Sequence, residues 1–190
     1  MSALEPEDIV VRLLEILPGF LGISKINRQQ VTAVMLETLY DSVVSMAANQ
    51  PESNTKPQDR MRITMEKTAQ AIGLEWQHGS PSDHPYGAEL DGVLLRDGEQ
   101  VAVVELEAID AKHARAALLD LLTYPKGRKL LVIGRSKRAT GSDNPASLCN
   151  NLRRSVLPAV AQVLASKPDI GIFTELELRF NPDVLRQFLQ

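Results

Sequence analysis

Two β-rich runs in the middle of the chain, separated by a short polar segment, restrict the possible folds more than any other feature of the sequence. The runs cover Glu89–Leu95 and Val101–Glu107, and the segment between them reads Arg-Asp-Gly-Glu-Gln. Asp-Gly between hydrophobic runs is a strong signal for a β-hairpin. If residues 97–99 form the turn, Leu95 pairs with Val101, and the open end of the hairpin carries acidic residues from both strands.

The same register places four carboxylates on one patch of the hairpin. Asp91 is expected to face Glu105, and Glu89 to face Glu107, because residues two apart in a strand share a face. Like charges directly opposite each other destabilise a sheet. Mg²⁺ prefers oxygen ligands and is often held by one or two carboxylates together with water and phosphate. The pattern therefore predicts a divalent metal site, although acids on the solvated face of an edge hairpin would give the same pattern.

Helices and strands alternate around this hairpin. Periodic hydrophobic residues predict six helices, the fifth of them kinked near Pro158: Leu4–Leu17, Arg28–Ala48, Gln58–Ile72, Ala111–Leu122, Pro145–Ser166 and a short one after Asn181-Pro182. Short apolar or alternating runs predict two further strands, Lys129–Gly134 and Ile170–Leu178. On the second of these strands, Glu175 and Glu177 are expected to face solvent. This order is typical of an α/β fold with a mixed sheet.

Length and composition favour one domain. The 190 residues are 44% hydrophobic and 24% charged, which is ordinary for a globular protein. Within this domain we expect N-terminal helices in 1–57, the core around the hairpin in 58–135 and a completing helix-strand-helix unit in 136–190. No apolar run is long enough to span a bilayer, no leader pattern precedes the first helix, and a single cysteine, Cys149, excludes an internal disulfide. These features predict a cytoplasmic protein without a membrane partner.

The segment from residue 58 to residue 135 resembles the PD-(D/E)XK nuclease superfamily, the restriction-endonuclease-like proteins. The core motif of that family is an Asp on one strand, a hairpin, (Asp/Glu)-x-Lys on the next strand, and then a helix and a further strand. The resemblance implies a restriction-endonuclease-like α/β fold with a mixed central sheet flanked by helices, an N-terminal helical extension, and the activity of a metal-dependent DNA endonuclease. It makes Asp91 and Glu105 ligands of Mg²⁺, or of Mn²⁺ in its place, with the backbone carbonyl of Leu106 as an additional ligand.

Glu107 stands where this family usually has lysine, the residue thought to orient or activate the attacking water. Three explanations fit the sequence. Glu107 could itself bind a metal or accept a proton from water, a cation could come from the next helix, or the site could have lost its activity. The basic residues near the start of that helix are Lys112, His113 and Arg115. The family often has one more acid on the helix before the hairpin, for which Glu66 is the candidate here and Glu37 a weaker one.

Basic residues cluster after this core, although the net charge of the chain is −3. A protein that binds a polyanion needs a local positive patch and not a positive total. The residues expected to contact DNA phosphates come from one stretch without acidic residues: Arg128, Lys129, Arg135, Lys137 and Arg138. A solvated surface loop would show the same run of charge.

The leading hypothesis is a Mg²⁺-dependent DNA endonuclease, in which Glu107 with Lys112 or His113 acts on the water. It also predicts a homodimer, since restriction enzymes of this build pair to cut both strands. One alternative is a catalytically inactive DNA-binding or scaffolding relative of the same fold, which the missing lysine favours. A third hypothesis is an interaction protein with no nucleic-acid role.

Overall fold

A computed structural model gives the chain an α/β fold with a five-stranded mixed sheet flanked by helices. The structure describes residues 6–21, 27–28, 31–46, 56–79, 89–108, 111–136, 144–164 and 168–190. The α/β class predicted from the sequence is therefore confirmed. In this described part of the chain, no helix is long and apolar enough to cross a membrane.

Three helices precede the first three strands, and helices and strands then alternate along the described residues. The helices are α1 (Pro6–Leu21), α2 (Ala33–Met46), α3 (Pro57–Ala71), α4 (Ala111–Thr123), α5 (Pro145–Asn151), α6 (Leu157–Leu164), α7 (Glu175–Phe180) and α8 (Asp183–Phe188). A π-helical turn, Leu152–Val156, joins α5 to α6, so the α-helix predicted over this region is interrupted just before Pro158. The strands are β1 (Glu75–His78), β2 (Gly92–Arg96), β3 (Glu99–Ala108), β4 (Arg128–Gly134) and β5 (Ile170–Thr174). β1 was not expected, because its four residues are mostly exposed and show no alternating pattern.

The strands lie in the order β1-β2-β3-β4-β5, each beside its neighbours in sequence. β2 is antiparallel to both β1 and β3, whereas β3, β4 and β5 are parallel to one another. The parallel pairs need crossover connections, which α4 provides after β3 and α5 with α6 after β4. Because β2 and β3 run in opposite directions, the start of β2 and the carboxyl end of β3 lie at the same end of the sheet.

A two-residue turn closes the hairpin, in place of the three-residue turn expected from the sequence. Asp97 and Gly98 both have positive φ, 54° and 81°, which is the geometry of a type I′ turn and explains the Asp-Gly sequence. Leu95 consequently pairs with Gln100, and its expected pairing with Val101 is wrong. A β-bulge next to this pair restores the predicted register over the rest of the hairpin.

The two faces of the sheet pack against different helices. On one face, Val103, Leu131 and other odd-numbered residues pack against α4 and α5. On the other face, Val104, Leu106 and other even-numbered residues pack against α3, α7 and α8. Burial of each such side chain contributes about 1.5–3 kcal/mol to stability. Strand alternation therefore directs Glu105 to the α4 face, between the residues that form this core.

Buried ion pairs attach α1 and α2 to the core. The Arg60 guanidinium of α3 donates to Glu175 of α7 at 3.0 and 3.1 Å and lies 3.1 Å from a carboxylate oxygen of Glu7 on α1. Arg135, which follows β4, donates to Glu37 of α2 at 2.8 Å. Arg60 also donates to the backbone carbonyl of Arg135 at 2.8 Å, which joins both pairs into one buried ion-pair network.

The prediction that Glu175 and Glu177 face solvent from a strand is wrong. β5 ends at Thr174, and Thr174 and Glu177 form a capping box that begins α7. In this capping box, Glu177 N–H donates to Thr174 Oγ1 at 3.1 Å, and Thr174 N–H donates to the Glu177 carboxylate at 2.7 Å. The helix turns Glu175 into the protein, where Arg60 binds it.

Replacement of Arg60 by alanine should lower the free energy of unfolding by about 3–5 kcal/mol, because the buried carboxylates of Glu7 and Glu175 lose their counter-charge. Urea unfolding followed by far-UV circular dichroism measures the loss. Arg186→Ala is the matched control, since the ion pair of Arg186 with Asp183 is exposed and should contribute less than about 1 kcal/mol. Equal effects of the two substitutions would show that the network does not stabilise the fold.

Candidate metal centre

Asp91 lies at the open end of the hairpin, just before β2, and is held by both its backbone and its side chain. Its carbonyl accepts hydrogen bonds from Gly79 N–H at 3.0 Å and from the His78 ring at 2.8 Å. Since a carbonyl only accepts, Nδ1 of His78 carries the proton in this contact. The Asp91 carboxylate accepts a hydrogen bond from Leu106 N–H at 2.9 Å. His78 therefore positions Asp91 from the end of β1.

Glu105 of β3 lies beside Asp91 and is almost completely buried, with 7% of its surface exposed. Burial is the largest cause of a rise in the pKa of Glu105 to about 9, followed by a hydrogen bond to the Asp91 carboxylate. The negative charges of Asp91, Glu107 and Asp120 act in the same direction. Without a cation, Glu105 therefore keeps its proton at neutral pH and donates it to Asp91.

Two more acids lie near this pair. Glu107 is half-buried two residues beyond Glu105, and strand alternation places it on the same face. Asp120 comes from α4, where it follows the buried Ala117 by three residues and so belongs to the side of the helix that faces the sheet. Asp120 was not expected from the sequence, although this helical spacing is visible there.

A guanidinium approaches the pair from α3, on the other side of the sheet. Arg62 places Nη2 4.0 Å from Asp91 Oδ1. Glu66, the acid expected from this helix, is exposed one turn further along. Glu37, the weaker candidate, is bound to Arg135 in the buried ion-pair network. The residue of α3 that reaches Asp91 is thus a basic one, which was not expected from the sequence.

Lys112 and His113 are both exposed in the first turn of α4. β3 ends at Ala108 and α4 begins at Ala111, so both residues lie close to the carboxyl end of β3. Their position in the fold is therefore at the same end of the sheet as Asp91 and Glu107.

The groups around Asp91 and Glu105 fit a hard divalent cation held by two carboxylates. No group of three or more Asp, Glu, His or Cys side chains is arranged to hold a metal ion in the part of the chain that the structure describes. Mg²⁺ needs fewer protein ligands than that, because it keeps several waters. The hydrogen bond between the two carboxyl groups brings their oxygens close together, as two ligands of one cation must be. Leu106, whose carbonyl the resemblance makes the additional ligand, donates its N–H to Asp91 at 2.9 Å and so lies beside this pair.

Arg135, one of the residues expected to contact DNA, is buried. Its Nε donates to Glu37 at 2.8 Å, its Nη1 lies 2.9 Å from Asp41, and its guanidinium carbon lies 4.4 Å from the centre of the Tyr40 ring. These partners from α2 neutralise the guanidinium and shield it from solvent, so the expected phosphate contact is wrong. Glu37 is 98 residues away in the chain, which is why the local sequence does not indicate this burial.

Arg128 and Lys129 lie at the start of β4, whereas Arg135 follows its other end. The length of the strand separates Arg128 from Arg135 by roughly 23 Å. Arg128 and Lys129 are both half-buried, and Arg128 lies 3.4 Å from Asp169. Lys137 and Arg138 lie outside the described residues. Of the basic residues expected to contact DNA that the structure describes, Arg128 and Lys129 therefore lie at one end of β4 and Arg135 at the other.

Glu105→Gln should reduce the pH dependence of stability. Because the pKa of Glu105 is raised to about 9, the folded protein retains a proton that the unfolded chain loses above about pH 4.5. The contribution of Glu105 to the free energy of unfolding is therefore fully present at low pH and falls as the pH rises through about 9, by up to about 1.4 kcal/mol per pH unit. Glutamine cannot ionise, so the variant should lose this slope.

Urea unfolding in EDTA between about pH 6 and about pH 9 measures this slope, with fluorescence of Trp76, the single tryptophan, as the signal. Glu75→Gln removes an exposed acid from β1 and should keep the wild-type slope. An unchanged slope in Glu105→Gln would mean that Glu105 ionises normally in the folded protein.

No protein-family model, no curated protein and no solved structure matches this chain. The likeness of its motif to the PD-(D/E)XK superfamily therefore rests on the residues themselves. What the chain does has to be inferred from the groups around Asp91 and Glu105.

Proposed function

We propose that the chain is a metal-dependent DNA endonuclease of the restriction type, with Asp91 and Glu105 as Mg²⁺ ligands. The observation that carries this proposal is the meeting of these two carboxyl groups at the end of adjacent strands, one of them buried and protonated against the other. Two acids placed together in this way disfavour folding, because burial and mutual repulsion both oppose their charges. A divalent cation bound between them would remove that penalty.

The order of the elements supports a restriction-endonuclease-like fold. Asp91 precedes β2, the hairpin leads to Glu105 on β3, and α4 and the parallel strand β4 follow. This is the order of the family motif that the sequence resembles. Because α/β sheets carry many unrelated functions, the proposal depends on the site more than on this order.

The residues of the site have separate tasks in the proposed reaction. Asp91 is held through its carbonyl and its carboxylate, so its position does not depend on a ligand. Glu105 gives up its proton when it becomes a ligand. Mg²⁺ or Mn²⁺, when bound, polarises a phosphoryl oxygen, lowers the pKa of water and stabilises charge on the leaving oxygen. Glu107 accepts a proton from water, with Lys112 or His113 offsetting negative charge.

DNA is the proposed substrate and a homodimer the proposed assembly. Arg128 and Lys129 are partly exposed and can contact backbone phosphates, which would make binding weaken as salt rises. α2 exposes two hydrophobic side chains, Val34 and Met35, that a second subunit could cover. A cytoplasmic location belongs to the same proposal.

Cleavage of supercoiled plasmid in Mg²⁺ or Mn²⁺ tests the activity. Asp91→Asn and Glu105→Gln should each lower kcat/KM by at least about 100-fold, because each removes a charged metal ligand. The exposed Glu75 of β1 provides the matched control, and Glu75→Gln should stay within about twofold of the wild type. Full activity in Asp91→Asn would rule out the proposed site.

Metal binding provides a measurement that does not need activity. Mg²⁺ should raise the Tm of the wild type, because a ligand of the folded state stabilises it, and should have no effect on Asp91→Asn. If the plasmid stays intact while DNA binding persists in both proteins, the chain is an inactive DNA-binding relative, which Glu107 in place of lysine favours. If neither metal nor DNA binds, both functions are excluded.

A further inference from the structure

Arg62 lies between two carboxylates without forming a normal hydrogen bond to either. Its Nη2 is 4.0 Å from Asp91 and its Nη1 is 3.5 Å from Asp59, whereas N–H···O bonds span about 2.7–3.2 Å. Its Nε atom is buried and has no hydrogen-bond partner among the described residues. Charge attraction, and not directed hydrogen bonding, therefore holds the guanidinium beside the candidate metal centre.

An incompletely bonded arginine at this place is unfavourable for the protein alone. A buried donor without a partner costs about 1–3 kcal/mol, so most such atoms in folded proteins have a partner. A guanidinium presents five N–H donors in a rigid plane, which suits the paired oxygens of a phosphate. The Arg62 side chain is also 34% exposed, so a ligand can reach its outer edge from solvent.

A DNA phosphate at this site needs a positive charge beside it, because the surroundings of Asp91 are already acidic. The acids that surround the site are Asp91, Glu105, Glu107 and Asp120. A phosphodiester carries a further negative charge, and the Glu105-Leu106-Glu107 segment brings no basic residue to meet it. Arg62 already forms an ion pair with Asp91 itself, which places a positive charge beside the expected ligands.

We propose that Arg62 binds a phosphate of the DNA backbone at this site and supplies the positive charge that Glu107 cannot. The inference rests on the proposed nuclease function, for which it names the phosphate-binding side chain. The Arg62 guanidinium would turn from its long contacts with Asp59 and Asp91 to the phosphate oxygens. Arg62 would then be a catalytic residue of α3, two residues along the helix from the structural Arg60.

Arg62→Ala and Arg62→Lys in the full chain test this proposal. Lys67→Ala is the matched control, because it removes one exposed positive charge from the same helix. With Mn²⁺, Arg62→Ala should lower kcat by about 100-fold or more, whereas Arg62→Lys should lower it by about 10-fold, since lysine keeps the charge but not the planar donors. Lys67→Ala should stay within about twofold of the wild type.

Two binding measurements separate phosphate binding from a structural role. Fluorescence anisotropy of a labelled DNA duplex in Ca²⁺ should show a Kd at least about 10-fold weaker for Arg62→Ala, which is the size expected for the loss of one charged phosphate contact. Titration with Mn²⁺ alone should show an affinity that is unchanged or tighter, because Asp91 loses a competing cation.

The outcomes distinguish this inference from the nuclease proposal. Wild-type kcat and Kd in Arg62→Ala would overturn the role of Arg62 and leave the nuclease proposal intact. Loss of Mn²⁺ binding in both variants would also overturn the phosphate-binding role of Arg62, since Arg62 would then only hold Asp91 in place. If the wild type binds DNA without cutting it and Arg62→Ala binds more weakly, Arg62 keeps its role and the nuclease proposal fails.

A variant that does not fold and a wild type without DNA binding also give decisive outcomes for the role of Arg62. If Arg62→Ala does not fold, as judged by far-UV circular dichroism, Arg62→Lys decides alone, and unchanged kcat and Kd in that variant would overturn the inference. A wild type that neither cuts nor binds DNA would overturn both proposals.

Discussion

The hydrogen bond from Leu106 N–H to Asp91 is the interaction on which the candidate site depends. It stands where a ladder bond between β2 and β3 would otherwise form, and so it fixes a carboxylate at the end of the ladder. From that position Asp91 meets Glu105 from the α4 face and Arg62 from α3. A slip of one residue would turn Glu105 to the opposite face of the sheet. The type I′ turn and the bulge that set the register therefore also set the site.

Two groups of buried acids in this chain have different surroundings. In the buried ion-pair network, each of the three glutamates lies 2.8–3.1 Å from an arginine nitrogen. Burial raises the pKa of Glu37 to about 7, with Arg135 lowering it, whereas the pKa of Glu105 rises to about 9 beside other acids. Buried charges that only stabilise a fold need close counter-charges, because an unpaired one costs several kcal/mol. The group in which a buried acid lies against other acids is therefore the better candidate for a ligand site, and the group held by close arginines is structural.

The features that could be predicted from the sequence are local ones. Asp97-Gly98 indicates the hairpin, and the alternation of its strands brings Asp91 and Glu105 to one end of it. Thr174-x-x-Glu177 likewise contains the signal for the start of α7, although the preceding strand pattern obscures it. Arg62 could not be placed in this way, because its contact with Asp91 depends on how α3 packs on the finished sheet. The burial of Arg135 after β4 likewise depends on α2, which is distant in the chain and supplies Glu37.

The packing of α3 connects the network to the candidate site. Residues two apart in a helix point about 200° away from each other, so Arg60 can enter the network while Arg62 extends to Asp91. The ion pairs of Arg60 hold α3 against α1 and α7, and this fixes the direction in which Arg62 leaves the helix. α1 and α2 thus influence the candidate site without contributing any of the described residues that surround Asp91. On the proposed function, α1 would therefore serve the chemistry as well as stability, because its ion pair with Arg60 helps to keep Arg62 of α3 within reach of the carboxylates of the hairpin.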